Sequence, residues 1–319
     1  MKKKSFLVTG GTGFIGASIT KHLINSNYKV SVFDNNSRGK LGRLSDVKNK
    51  FSFIKGDIRN AKKVSKAFKN KDAVIHLAYV NGTEFFYKKP VEILDIAVKG
   101  IINVIDSCIK NNIKELYLAS SSEVYQTPNK VPTKEDEMLK IPDVYNPRYS
   151  YGGGKIISEL LGIHYGKKYF NKLVIFRPHN VYGFDMGNEH VIPQFINRMK
   201  GISKKNKNFY ILGSGKEIRS FIHIKDFTDA FGLILRKGKH LEIYNIGTTE
   251  KIEISKLALQ VSKLMNKKII IKNKTIAKGS TKVRCPDISK LKKLGFIKKV
   301  SLTVGLKQVI NSHQNIKKK

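Results

Sequence analysis

The chain has 319 residues, with 61 Lys and Arg against 24 Asp and Glu, a formal charge of +37 at pH 7, and two cysteines. That length buries a sizeable core as one large domain with a smaller appended lobe. Cys108 and Cys285 make no disulfide framework and no metal-ligand spacing, which fits a reducing cytoplasm. No run reaches the roughly eighteen apolar residues of a spanning helix, so no membrane insertion is expected. The charge is mostly lysine scattered over the chain, as in Lys62-Lys63, Lys204-Lys205 and Lys267-Lys268. Without an aromatic-interleaved basic stripe or a nucleic-acid module, this pattern reads as solvated surface with weak adhesion to polyanions, not specific nucleic-acid binding. Met1-Lys2-Lys3-Lys4 imitates the start of a secretory signal, but the apolar run after it is too short. Lys317-Lys318-Lys319 reads as a solvated tail.

Taken in chain order, short apolar runs alternate with helical patterns. Residues 6–8, 29–33, 51–54, 73–77, 115–119 and 173–176 have strand length, and residues 15–25, 61–68, 91–110 and 156–169 have helical spacing. Such alternation predicts an α/β fold, a doubly wound parallel sheet with helices on both faces. Ligands of such sheets sit beyond the carboxyl ends of the strands, where Asp34, Asp57, Ala78, Ser121 and Arg177 fall. After Pro178 the pattern loosens around one helix at 191–200, then resumes as a strand at 221–224 and a helix at 227–235. The expected organisation is a dinucleotide domain over residues 1–178 with a return segment near 221–250. A substrate lobe is expected over 179–220 and 251–319.

Two strings carry the chemistry. Gly10-Gly11-Thr12-Gly13-Phe14-Ile15-Gly16 follows the first strand and opens the first helix. Glycines there let the backbone turn tightly, approach a pyrophosphate and pack helix on strand. Tyr151-Gly152-Gly153-Gly154-Lys155 sets a phenol and an ammonium four residues apart on one helical face. Each string alone is weak: the first could be only a turn and the second a chance pair. Together they read as a nicotinamide-dependent enzyme acting on an alcohol.

Asp34, ending the second strand, can accept from both ribose hydroxyls and repels a 2′-phosphate, which favours NAD over NADP. Arg38 nearby is the group that could accept that phosphate. Asp57 could take the adenine amine, or cap the helix after it. Lys155 is expected to lower the phenol's pKa and hold the nicotinamide ribose, while Ser121 bonds the reacting oxygen.

The chain resembles an extended short-chain dehydrogenase/reductase of the NAD-dependent nucleotide-sugar epimerase/dehydratase kind. The resemblance runs nearly end to end. It takes in both strings, Gly56-Asp57-Ile58, His76-Leu77-Ala78, Ser120-Ser121-Ser122-Glu123-Val124-Tyr125, and Arg177-Pro178-His179-Asn180-Val181-Tyr182-Gly183. It continues through Arg219-Ser220-Phe221-Ile222-His223 and Arg284-Cys285-Pro286-Asp287. It implies a Rossmann domain with a smaller C-terminal lobe, and Ser121, Tyr151 and Lys155 as the catalytic trio. Gly10, Gly13, Phe14, Ile15, Gly16, Asp34, Asp57, Ile58, Ala78 and Lys155 would contact NAD. Ser122, Asn180, Arg219 and Arg284 would hold a nucleotide-diphosphate sugar. It also implies a homodimer through helices 91–110 and 156–169. The chain departs from the pattern at Ala97, where relatives usually carry Asn, and at the loop Val80-Asn81-Gly82-Thr83 with Phe85-Phe86.

Oxidation at the sugar C4 opens three outcomes. Returning hydride to the other face gives 4-epimerisation. Dehydrating relatives carry Asp-Glu beside the catalytic Thr, whereas this chain has Ser122-Glu123. Decarboxylating relatives resemble the Ser-Glu pair, so Glu123 either takes part in the chemistry or bonds backbone. The expected activity is 4-epimerisation with recycled NAD, ahead of decarboxylation and then 4,6-dehydration. A non-catalytic RNA-binding relative is the reading from another class.

Overall fold

The computed structural model describes residues 3–275 and 279–315. Met1, Lys2 and the basic end at 317–319 lie outside the described residues. Six strands come first: β1 (Ser5–Thr9), β2 (Lys29–Asp34), β3 (Phe51–Lys55), β4 (Ala73–His76), β5 (Glu115–Ala119) and β6 (Lys172–Pro178). Among them run α1 (Phe14–Asn25), α2 (Ala61–Phe68), α3 (Thr83–Lys88), α4 (Pro90–Lys110) and α5 (Tyr149–Tyr169). Then come β7 (Val181–Tyr182), α6 (Val191–Met199), β8 (Asn208–Leu212), β9 (Ile218–Ser220), β10 (Ile222–His223), α7 (Ile224–Lys237) and β11 (Glu242–Ile246). The chain closes with β12 (Lys251–Glu253), α8 (Ile254–Leu264), β13 (Ile270–Lys274), β14 (Val283–Arg284), α9 (Ser289–Lys293) and α10 (Leu302–Asn315).

Seven strands form one sheet in the order β11-β6-β5-β4-β1-β2-β3. Every pairing in it is parallel, with Phe6 beside Val30 on one edge and Ala73 on the other. Alternation along β1 sends Phe6 and Val8 to one face and Leu7 to the other. Phe6 and Val8 pack with Ile19 and Leu23 of α1 and Phe227 and Phe231 of α7. Leu7 packs with Val64 of α2 and with Ile93 and Ile101 of α4. Strands buried on both faces are why these runs read as continuously apolar. The order reverses between β1 and β4, so their carboxyl ends diverge and leave a crevice. A third core, with Phe195, Phe209, Leu257 and Val309, joins α6, β8, α8 and α10.

Several elements depart from expectation. α5 starts at Tyr149, seven residues before the expected 156. Three consecutive glycines disfavour a helix locally. Close packing overrides that cost, since a Cβ on Gly154 would meet the Ala97 Cβ at 2.5 Å and one on Gly152 the Glu123 carbonyl at 3.0 Å. β11 was not visible as a strand, yet it pairs with β6 and brings the chain back into the sheet. The 3₁₀ segment Leu41–Lys50 was also missed; its Leu44 and Val47 pack with Ala17 and Val32. Arg177 does not face the crevice but is buried in the interior, paired with Glu159 at 2.6 Å.

Candidate active site

A cavity of about 610 Å3 opens at the reversal between β1 and β4. It is lined from the sheet side by Gly10, Asp34, Asp57, Ala78 and Ser121, and from the third core by Phe195, Phe221 and Ile254.

The turn from β1 into α1 depends on glycine. Gly10 has φ +71°, and a Cβ there would lie 2.7 Å from the Ala78 nitrogen. A Cβ on Gly16 would overlap the Gly10 carbonyl. Gly13 is the N-cap of α1; no side chain caps the helix and its first turn holds no acidic residue. Unclaimed amide N–H groups and the positive end of the helix therefore face the cavity beside Phe14 and Ile15, an arrangement that suits a pyrophosphate.

Asp34 ends β2 with both oxygens oriented. Oδ2 accepts from the Thr12 amide at 3.0 Å and Oδ1 from the Asn36 amide at 2.8 Å. Its free lone pairs suit a ribose diol. Arg38 pairs with Glu189 and lies over the Phe85 ring, its guanidinium carbon 4.5 Å from the centroid. With that charge already neutralised, Arg38 is not a free 2′-phosphate receptor. Asp57 lines the cavity but does not cap α2, because Asn60 does so through the Lys63 amide. The Arg59 side chain hydrogen-bonds the Asp57 carboxylate and holds its pKa down at about 2. Ile58 also lines the cavity and packs against Gly100 of α4. An uncapped helix start, a diol acceptor and a neutralised arginine together fit NAD.

Ser121 caps the short turn Ser122–Tyr125, accepting from the Glu123 amide at 3.2 Å. Its hydroxyl lines the cavity with the Tyr151 phenol and pulls that phenol's pKa down. Phe86 stacks on the Tyr151 ring at 4.9 Å, and Tyr79 meets it edge-on at 5.0 Å. One turn further along α5, Lys155 donates to the Ala119 carbonyl at 2.7 Å. Burial pulls the Lys155 amine down to about 7, with Glu159 pulling the other way. The Tyr151 phenol is pushed up by burial, more than Ser121 and Arg284 pull it down. This corrects the expectation that Lys155 lowers it. The ammonium sits 5.9 Å from the phenol ring centroid, and desolvation outweighs it.

Glu123 is the centre of a charge cluster. Arg284 Nη1 binds its Oε1 at 2.7 Å, and Arg148 Nη2 lies 3.9 Å from Oε2. Burial favours the neutral acid, but Arg284, Arg148 and Arg219 overcome it and hold the carboxyl below its ordinary range. Ser122 is buried beside it on the cavity wall. Arg219 donates to the Thr281 carbonyl at 2.8 Å, and burial beside Arg284 lowers its pKa to about 10. The Asn180 amide donates to the Ser220 carbonyl at 2.9 Å. Arg284 Nε is buried with no partner. Asn180, Arg219 and Arg284 all line the cavity, so the expected residues are gathered in one place. Sequence reasoning missed Arg148, Tyr79 and Glu189 in the same wall, and named Phe86 only as a departure from the family pattern. Arg148 stands three residues before Tyr151, a helical spacing that was available as a signal.

The profile of the NAD dependent epimerase/dehydratase family matches residues 6–247. A protein of Methanocaldococcus jannaschii, provisionally named a UDP-glucose 4-epimerase, is 32% identical over 97% of this chain and 98% of its own. The UDP-N-acetyl-alpha-D-glucosaminuronate decarboxylase of Bacillus cytotoxicus is 28% identical over 98% of this chain and 99% of its own. Among solved structures, the UDP-glucose 4-epimerase of Thermotoga maritima with UDP-glucose superposes with a TM-score of 0.87 at 27% identity. That superposition covers 98% of this chain and 99% of that one. A parallel sheet reversing at a glycine turn, with a match of this extent, has one reading: the chain belongs to the NAD dependent epimerase/dehydratase family, and its cofactor is NAD.

Proposed function

We propose that the protein is a nucleotide-sugar 4-epimerase that recycles its NAD. The observation carrying this reading is a buried Tyr151 and Ser121 in the same cavity wall as a Glu123 paired with arginines. Tyr151, as its phenolate, takes the proton of the C4 hydroxyl and becomes the phenol, and Ser121 bonds the same oxygen as it becomes a carbonyl. Bound NAD would supply the hydride acceptor for C4 and the donor to the opposite face of the keto sugar. Lys155 holds the cofactor ribose and places a positive charge near the phenol. Tyr151 then gives the proton back, so atoms balance with inversion alone. Dehydration needs an acid to protonate the leaving C6 oxygen, and an ionised Glu123 beside Ser122 supplies none.

The same arginines favour a second reading. Three guanidiniums around one carboxylate leave an excess of positive charge, which suits a sugar carboxylate and hence decarboxylation of the β-keto acid. Incubating the protein and NAD with UDP-, GDP- and dTDP-sugars and with UDP-glucuronate separates these readings by mass spectrometry and proton NMR. A product of unchanged mass with inverted C4 supports epimerisation. Loss of water or carbon dioxide overturns it. RNA affinity surviving Tyr151→Phe, with no turnover of any donor, would instead favour the non-catalytic reading.

On this reading residues 1–178 with the return near 221–250 hold NAD, while 179–220 and 251–319 hold the nucleotide sugar. Two free, buried cysteines suit work in the cytoplasm. Two copies pack through α4 and α5, whose exposed Val91, Leu94, Ile102 and Leu160 would be covered. Light scattering should give a dimer mass, and Leu160→Asp should give a monomer.

A further inference from the structure

Tyr79 follows β4 and places its ring under the Lys155 ammonium, with Nζ 3.9 Å from the ring centroid. The room for this ring comes from two small residues on facing helices. A Cβ on Gly154 of α5 would collide with the Tyr79 hydroxyl, and Ala97 of α4 stands 2.5 Å from the same point. The hydroxyl is buried without a partner, so the ring and not the OH makes the contact that matters. Lys155 donates to one carbonyl, that of Ala119. An ammonium carries three protons, and with the Ala119 carbonyl on one side and the ribose of bound NAD on the cavity side, the side toward Tyr79 has no hydrogen-bond acceptor from that ring's buried, unpartnered hydroxyl. The face of an aromatic ring supplies the missing stabilisation.

We infer that Tyr79 is a positioning residue that holds Lys155 as a cation through its ring face and fixes the ammonium beside Tyr151. The other groups around Lys155 leave direct contact on this side to the ring. His76 of β4 is buried and neutral in the physiological range, and Glu159 on α5 favours the cation through space but spends its hydrogen bonds on Arg177 and Ser120. The Tyr151 and Tyr79 rings stand nearly perpendicular, at 81°, with centroids 5.0 Å apart. With burial pulling Lys155 down to about 7, a modest stabilisation decides its charge near neutral pH.

The inference rests on Lys155 serving the proposed reaction as a cation. Its test is read without turnover, so its failure is distinct from the wrong product that would sink the epimerase reading. Lysine labelled with 13C at Cε in the NAD-loaded protein gives the Lys155 titration by NMR, with the signal assigned by its loss in Lys155→Met. Tyr79→Phe keeps the ring and should leave the midpoint unchanged. Tyr79→Leu should lower it by about one pH unit. Tyr79→Met, which fills the space flexibly without a π face, should do the same if the leucine variant folds poorly. A midpoint unmoved in both Leu and Met variants overturns the inference. So does a Phe variant that moves as far as they do.

Discussion

Burial acts in opposite senses on the two groups that flank the Tyr79 ring. It raises the Tyr151 phenol and lowers the Lys155 amine, so both tend toward neutrality and the pair works only inside an electrostatic frame. Tyr151→Phe keeps the stacked ring and removes the proton carrier. Turnover should fall about 10²–10⁴-fold while NAD stays bound, checked by product NMR and the absorbance of retained cofactor. Glu123 shows the reverse case, a carboxyl held below its ordinary range. Its stabilising contribution is present above the unfolded pKa and is lost as pH falls through the lower, folded value, as also at Asp57 near 2. Acid unfolding should therefore steepen below the ordinary carboxylate range. Arg284→Met should make that limb shallower and cost about 3 kcal/mol at neutral pH, measured by urea titration at several pH values. An unchanged neutral stability would show that Arg148 and Arg219 alone satisfy the carboxylate.

Between elements, the decisive contact is α4 against α5. Gly154, Ala97 and Tyr79 share one small volume, and no single one of them can grow without displacing another. Gly154→Ala should destabilise by about 1–3 kcal/mol. Adding Tyr79→Phe removes the hydroxyl in the way and should recover part of that loss. The two changes should thus be non-additive in chemical denaturation. Beneath them Arg177 and Glu159 tie β6 to α5, both almost fully buried, and Arg177 reaches the Tyr125 hydroxyl at 2.6 Å. This network holds the turn that carries Ser122 and Glu123, which is why a conspicuous arginine at a strand's end points inward.

Across the molecule, a formal charge of +37 exceeds anything the site needs. Ion pairs such as Lys4–Glu115 and Lys290–Glu242 offset little of it. Like charges over the surface repel the compact state, and salt screens that repulsion. The Tm should rise by a few degrees between low salt and about 0.3 M NaCl. Retention on an immobilised polyanion should vanish over the same range. A Tm indifferent to salt would mean that the lysines are spaced widely enough not to interact. Among the described residues no helix is long and apolar enough to cross a membrane.

Strands β1 to β6 were legible in the chain because fully buried parallel strands are nearly all apolar, and the crevice followed from where those runs end. The glycine turn was legible because Gly10 and Gly16 answer local geometric demands that no other residue meets. Tyr151 and Lys155 were legible through helical spacing. The start of α5 was not, since glycine propensity argues against it and packing on α4 overrides that argument. Nor was the state of Glu123, because Arg284 is 161 residues away along the chain and only folding brings it within 2.7 Å. The sign of the phenol's shift escaped for the same reason. Spacing places charges near one another, but desolvation depends on every neighbour that excludes water, and those neighbours come from remote segments such as Phe86 and Tyr79.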